Sequence, residues 1–216
     1  MTAIELSAYI NLELDESGTP DLNDTEMSHF INVSLFDFRT RELPNYEKNE
    51  WTRRALLPLR VEVTPPASDV ITTSNYADFT VCVELAGEFT DLCTNAKKWQ
   101  PIVSLRDDTE YSLKNDPFGS ATNLEPRYKT YNESGINKIK ILSETPPSSI
   151  VMAYLRQFNN VDLSTSPNAV VDYDPLLTHQ AIGLLAVIRI LSVYQDPRFS
   201  VKIYEDRYAS LTNKIQ

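Results

Sequence analysis

The chain has 216 residues, enough for one generous domain or two small ones with a real hydrophobic core. Its 42% hydrophobic and 23% charged residues are typical of a globular protein and argue against intrinsic disorder and coiled coil. The 30 acidic residues outnumber the 20 basic ones, and the net charge of −10 argues against a sequence-independent nucleic-acid binder.

Two helices are predicted at the N-terminus. Thr2 and Glu5 have the spacing of a capping box, in which each side chain satisfies a backbone N–H of the first helical turn. A second helix begins near Asn23 and should end before Pro44, and its apolar residues repeat at helical spacing. Residues 1–43 are therefore predicted to form an N-terminal helical hairpin.

Residues 44–172 are predicted to be a strand-rich middle with a Pro-rich connector and loops. Apolar and polar residues alternate over 79–85, which is typical of a half-buried strand. Gly135 supplies the positive φ that a hairpin turn needs within 127–142. Both faces of 150–156 are apolar, which predicts a strand covered on both sides. The predicted strands cover residues 60–63, 79–85, 101–106, 127–131, 136–142 and 150–156. Their short connections predict an antiparallel meander.

Residues 173–216 are predicted to form a C-terminal helical hairpin and tail. Asp174 and Pro175 are a favoured start for the first helix, and Asp196-Pro197 separates it from the second. Almost every face of residues 176–194 is aliphatic, so this helix is predicted to be buried on all sides or shared between subunits. The predicted fold is α+β, with both hairpins packed as one helical layer beside the meander in a single structural unit.

Few residues have the spacing that catalysis or metal binding requires. His29 and His179 each lie in a predicted helix without a second His or a Cys at ligand spacing. The sequence has no nucleophile elbow, no phosphate-binding loop and no dinucleotide fingerprint. We therefore predict no catalytic residue, no cofactor, no metal and no membrane span. Lys138 and Lys140 are interpreted as the polar face of an amphipathic strand.

The acidic residues are concentrated in one half of the chain. Residues 1–108 hold 19 Asp and Glu against 9 Lys and Arg, whereas residues 109–216 hold 11 of each. A solvated acidic face is the simplest interpretation. The alternative is a surface that has to avoid sticking to a polyanion.

The order of elements and several short motifs resemble those of the head–tail adaptor, or connector, proteins of short-tailed bacteriophages, including the ring proteins of crAss-like phages. The resemblance spans most of the chain and rests on short motifs. These motifs are Glu26 with Phe30-Ile31-Asn32, Glu125-Pro126-Arg127-Tyr128, Ile139-Lys140-Ile141-Leu142 before Pro146, Tyr154-Leu155-Arg156, Asp172-Tyr173-Asp174-Pro175-Leu176-Leu177, and Asp196-Pro197-Arg198 before Tyr204 and Tyr208. The Pro-rich connector at 44–78 and an insert near 107–124 depart from the pattern.

The resemblance implies a non-enzymatic virion protein located at the head–tail interface and made in the host cytoplasm. About twelve copies would form a ring that binds the portal protein and an adjacent tail or ring protein. DNA would pass through the ring without specific binding, and an acidic lumen suits that passage. The candidate partner-binding residues are Leu184, Ile188, Leu191, Tyr208, Leu211, Lys214 and Ile215. Adaptors of this kind direct their C-terminal end toward the portal, which would make Tyr208–Gln216 an anchor; the alternative is a helix end folded on its own subunit.

Two other classes of function stay open at the level of sequence. The chain could be a tail or baseplate module that binds a glycan or a fibre, or an enzyme with an unrecognised site. A ring subunit should assemble or bind a portal, whereas a glycan-binding module should stay small and respond to sugars.

Overall fold

The computed structural model describes residues 1–15, 22–46, 48–105, 121–173, 175–194 and 201–213. The chain is a mixed α+β protein, as predicted, and it divides into two compact units rather than one. Met1–Leu59 and Phe158–Gln216 form the helical unit, and Arg60–Gln157 forms the sheet unit. The sequence had assigned residues 44–59 and 158–172 to the strand-rich middle, but they belong to the helical unit because they bond to its helices.

The described part of the helical unit contains five α-helices. They are α1 (Ala3–Asp15), α2 (Asp24–Glu42), α3 (Glu50–Leu56), α4 (Pro175–Tyr194) and α5 (Val201–Asn213). Helix α4 is the central one, because α1, α2 and α5 all contact it. Asp174 and the predicted break at 196–197 lie outside the described residues.

Local capping explains where the two N-terminal helices begin. The Thr2 backbone N–H donates to Glu5 Oε2 at 2.9 Å, and the Glu5 N–H donates to Thr2 Oγ1 at 3.4 Å. Asn23 and Glu26 repeat the reciprocal pair at 3.0 and 3.1 Å before α2. Both predicted helix starts are confirmed.

Helix α4 is buried by helices of its own chain. Its aliphatic side chains Ile182, Val187 and Ile190 are 0% exposed. The sequence predicted that this helix is either buried on all sides or shared between subunits. The first alternative holds over most of the helix, because α1, α2 and α5 all contact it.

Gly183 lets α4 approach α1 closely. A Cβ atom built on Gly183 would lie 2.5 Å from ring carbons Cδ1 and Cε1 of Tyr9. Carbon atoms do not approach so closely without a shift of one partner. A glycine in a helix interior lowers helix propensity, and here the close helix contact explains it.

We expect Gly183→Ala to lower the free energy of unfolding by about 1–3 kcal/mol, because the added methyl group would overpack the contact with Tyr9. In a Tyr9→Ala background the ring is gone, and the same substitution should stabilise the chain by up to about 1 kcal/mol through helix propensity. Denaturant unfolding of the four variants of this cycle measures both effects. An equal effect of Gly183→Ala in the two backgrounds would contradict the account.

The described part of the sheet unit contains two four-stranded sheets. The strands are β1 (Arg60–Val63), β2 (Val70–Thr72), β3 (Phe79–Thr90), β4 (Lys97–Pro101), β5 (Val103–Ser104), β6 (Arg127–Glu133), β7 (Ile136–Leu142) and β8 (Ser149–Arg156). The first sheet has the order β1-β8-β3-β4 and the second has the order β2-β7-β6-β5. All neighbouring strands are antiparallel except β5 and β6, which are parallel.

The predicted meander is wrong in its strand order. Strand β8 does not continue the β6–β7 hairpin but lies between β1 and β3 in the other sheet. The two sheets share one core, in which Leu85 and Met152 of the first sheet belong to the same buried cluster as Ile139 and Ile141 of the second. Alternation in a strand identifies its buried face but does not identify its neighbour, so the sequence pattern could not assign β8 to a sheet.

The β6–β7 hairpin is confirmed. Its turn residues Ser134 and Gly135 have φ values of 54° and 80°. The Asn132 side chain accepts a hydrogen bond from the Gly135 N–H at 3.0 Å. Positive φ at both turn positions matches the twist of the flanking strands, which explains how this short turn sets the register.

Candidate interaction surfaces

The structure buries three of the predicted partner-binding residues in the helical unit. Leu184, Leu191 and Tyr208 are 3%, 2% and 8% exposed. Leu191 and Tyr208 lie in the core of the helical unit, so the prediction that they are available to a partner is wrong. An apolar pattern on a helix does not distinguish a core from an interface.

The remaining candidates divide between surface and undescribed positions. Ile188 on α4 and Leu211 on α5 are half-buried. Each lines a groove, and Leu184 lies in the same groove as Leu211. Lys214 and Ile215 lie outside the described residues.

The first groove lies between α2 and α4 and has a volume of about 360 Å³. We call it the α2–α4 groove. Its apolar wall consists of Phe30, Val33, Leu185, Ile188 and Val193. The α4 residues that line the groove, Leu185, Ile188, Arg189, Ser192 and Val193, recur at spacings of three and four, so they form a single face of that helix. Such a wall suits an apolar helix or chain segment from a partner.

Charged side chains border the same groove. The Arg189 guanidinium donates to Asp37 Oδ2, with Nε at 2.9 Å, and this ion pair connects α4 to α2. Arg41 also lines the groove, and its guanidinium lies 5.5 Å from the centre of the Tyr208 ring. The groove therefore combines an apolar wall with a polar border, the composition typical of a binding surface.

The second groove lies between α1, α4 and α5 and has a volume of about 330 Å³. Arg207 donates to both carboxylate oxygens of Glu13, at 2.6 and 2.8 Å. The hydrogen bonds from Arg207 are the main reason that the pKa of Glu13 lies below its usual value. Burial raises the pKa of Tyr9, which also lines this groove, to about 12. The bidentate ion pair between Arg207 and Glu13 fixes α5 against α1.

Tyr208 is part of a buried polar cluster. Its hydroxyl donates to Glu42 Oε1 at 3.5 Å, and the Thr52 hydroxyl donates to Glu42 Oε2 at 3.2 Å. The cluster links the end of α2 to α3 and α5. Burial raises the pKa of Glu42, because desolvation outweighs the hydrogen bonds from Thr52 and Tyr208. Sequence reasoning did not find this cluster, because its members are far apart in the chain.

Glu42 should make stability fall as the pH rises. Its pKa is higher in the folded than in the unfolded chain, so ionisation of Glu42 lowers the free energy of unfolding. This loss begins as the pH rises past the unfolded pKa of about 4.3, and it is complete above the folded pKa. We expect Glu42→Gln to gain stability relative to wild type between pH 4 and pH 7. Urea unfolding at several pH values measures this difference. In Thr52→Val the free energy of unfolding should fall more steeply with pH than in wild type, because the substitution removes a hydrogen-bond donor to the Glu42 carboxylate. A difference between wild type and Glu42→Gln that does not change with pH would contradict this assignment.

In the residues that the structure describes, no group of three or more His, Cys, Asp or Glu side chains could hold a metal ion. Nor does any helix in these residues combine the length and apolar character that crossing a membrane requires. His29 is exposed and lines the α2–α4 groove. His179 is 1% exposed, because it lies on the buried side of α4.

The sequence was also compared with known proteins. No protein-family model and no curated protein match it.

Proposed function

We propose that the chain is a structural virion protein, a ring subunit of the head–tail connector of a short-tailed phage. In this proposal the subunit docks beneath the portal protein and extends the channel through which DNA passes. The order of elements that resembles head–tail adaptors supports the proposal. The assignment concerns assembly, and it requires no cofactor and no chemical step.

The observation that carries the proposal is the α2–α4 groove. Its wall is apolar, and Val193 in that wall is 62% exposed. Tyr194, the next residue of α4, is 40% exposed. Apolar side chains left in water at the end of a groove favour a partner that covers them. A ring subunit needs such contacts with the proteins above and below it.

Capture of the portal protein tests the proposal. The chain should bind a purified portal protein encoded beside it and should form a complex of discrete mass by native mass spectrometry. Val193→Ser should weaken that complex, because it removes apolar area from the groove without disturbing the core. Ile203→Ser removes apolar area from an exposed position of α5 that lines neither groove, and this matched control should bind like wild type. A chain that binds no portal would contradict the proposal.

A tail or baseplate module that binds a glycan is the second candidate. The indole of Trp99 on strand β4 is 51% exposed, and flat exposed aromatic rings are suited to stacking on sugars. If the chain is a glycan-binding module, Trp99 fluorescence should change when the chain is titrated with host surface glycans. Binding that is lost in Trp99→Ala, together with no assembly, would favour the glycan-binding module over the ring subunit.

A further inference from the structure

The first sheet carries an exposed aromatic ring on the side that faces away from its core. Trp99 of β4 is 51% exposed. It is directly opposite Glu88 of β3, and Glu88 is directly opposite Ser149 of β8. Directly opposed residues point to the same side of a sheet, so these three side chains form a row across three adjacent strands. The other side of β3 carries Leu85 and Phe89, which belong to the core. We call Trp99, Glu88 and Ser149 the outer row.

The outer row has the dimensions of a short saccharide. Neighbouring strands of a sheet lie about 4.8 Å apart, so the row extends over about 10 Å, the length of two pyranose rings. The next row on the same side consists of Pro101, Ala86 and Val151, whose side chains are compact. The surface beside the indole is therefore a low platform on which a flat ligand can lie.

The carboxylate of the outer row is held in place. The Ser148 hydroxyl donates to Glu88 Oε2 at 2.6 Å, and Lys97 Nζ donates to the same oxygen at 3.3 Å. These two bonds, that from Ser148 first, lower the pKa of Glu88, so the group is ionised at neutral pH. Among the described residues both donors use Oε2, and an ionised carboxylate has acceptor sites on both oxygens. Glu88 Oε1 is therefore available to a ligand hydroxyl.

The charges around the outer row cancel. Lys97 forms an ion pair with Glu88, and Lys98 forms one with Asp91. An anionic ligand on Trp99 would bring its charge beside Glu88, and it would also approach a chain whose net charge is −10. The outer row therefore favours a neutral ligand over an acidic sugar or a nucleic acid.

We propose that the outer row binds a neutral saccharide, with one pyranose ring on the Trp99 indole and a hydroxyl of the sugar donating to Glu88 Oε1. The C–H groups on the face of a pyranose suit the negative face of an indole. A hydroxyl that donates to a carboxylate forms a charge-assisted hydrogen bond, which is stronger than a neutral one. Ser149 then meets the hydroxyls of the second ring.

This inference rests on the second candidate function, a glycan-binding module, and it names the ligand class and the side chains that bind it. It does not depend on portal docking, because the α2–α4 groove belongs to the helical unit and the outer row to the sheet unit.

Titration calorimetry with maltose, lactose, cellobiose and glucuronic acid tests the outer row. Wild type should bind at least one of the three neutral disaccharides and should not bind glucuronic acid. Trp99→Ala should abolish measurable binding, whereas Trp99→Phe keeps a flat ring and should retain part of the affinity. Glu88→Gln keeps the shape of the side chain but removes its charge, and it should weaken binding at least about tenfold.

Two substitutions outside the outer row are the matched controls. Leu92→Ala removes an apolar side chain that is 60% exposed in the connection between β3 and β4. Glu133→Gln removes a carboxylate that is paired with a lysine, as Glu88 is, but on the second sheet. Both variants should bind the sugar like wild type. Circular dichroism of each variant checks that the fold is kept.

The possible failures are distinguishable. Binding of a neutral sugar that is unchanged in Trp99→Ala or in Glu88→Gln would overturn the outer row as the site and leave the glycan-binding candidate standing. Binding of glucuronic acid in place of the neutral sugars would overturn the ligand class. If none of the four sugars binds, the inference and the glycan-binding candidate both fail. Binding of a single-stranded oligonucleotide that is lost in Trp99→Ala, without sugar binding, would replace the sugar by a nucleic acid, since bases also stack on aromatic rings.

Discussion

Phe38→Ala is expected to lower the free energy of unfolding of the helical unit by about 3–5 kcal/mol. Phe38 on α2 is 0% exposed. Its ring meets the Trp51 ring edge to face at 6.0 Å and the Tyr173 ring at 5.5 Å. The substitution removes these aromatic contacts and leaves a cavity between α2, α3 and the segment that precedes α4.

Phe36→Ala is the matched control on the same helix. Phe36 is 51% exposed, so Phe36→Ala should lower the free energy of unfolding much less than Phe38→Ala does. Trp51 gives a local readout, because it contacts Phe38. The chain has two tryptophans, and a Trp99→Phe background makes the fluorescence report on the helical unit alone. Similar losses for the two phenylalanines would contradict the packing described for α2.

Two aspartate substitutions on α4 should have different consequences. Leu184 is 3% exposed, so Leu184→Asp would bury an unpaired carboxylate and should destabilise the helical unit by several kcal/mol, enough to unfold it. Ile188 is half-buried at the wall of the α2–α4 groove, where a carboxylate keeps contact with water. Ile188→Asp should therefore stay folded and lose at least about tenfold in affinity for the portal protein.

Ile203→Asp is the control for the second effect. Ile203 lies on α5, is 59% exposed and does not line either groove, so its replacement should leave both fold and portal binding unchanged. Thermal unfolding and portal capture, measured on all three variants, separate a loss of folding from a loss of docking. A folded Ile188→Asp chain that binds the portal as tightly as wild type would contradict a role of the α2–α4 groove in portal binding.

Local signals predicted most of the helical boundaries and the long hairpin. The capping residues Thr2 and Asn23 set where α1 and α2 begin, and Gly135 sets the hairpin turn. These signals act over a few residues, so a single sequence contains them. The α+β class followed because helical spacing at both ends and alternation in the middle are equally local.

The arrangement of these elements depends on contacts that the sequence pattern does not encode. The placement of β8 between β1 and β3 joins residues far apart in the chain. The same holds for the hydrogen bond from the Asn32 side-chain amide to the Val161 carbonyl, which fixes the loop before α4 to α2. Strand β2 was missed because three residues are too few to show alternation.

The candidate site was predicted only in part for a related reason. Apolar residues on α4 are equally consistent with a core and with an interface, and burial alone separates Leu191 from Ile188. Lys138 and Lys140 were interpreted from sequence as the polar face of one strand. Pairing of β6 with β7 adds Arg127, Lys129 and Tyr131 to the same surface, which a strand-by-strand reading does not reveal.

The mass of the assembled protein tests the central claim most directly. Native mass spectrometry, with negative-stain imaging of the same sample, should show a closed ring with a central opening, built from many subunits of 24.6 kDa. The ring should form from the protein alone or on addition of the portal protein. A species of 24.6 kDa at every protein concentration, with and without the portal, would contradict the account.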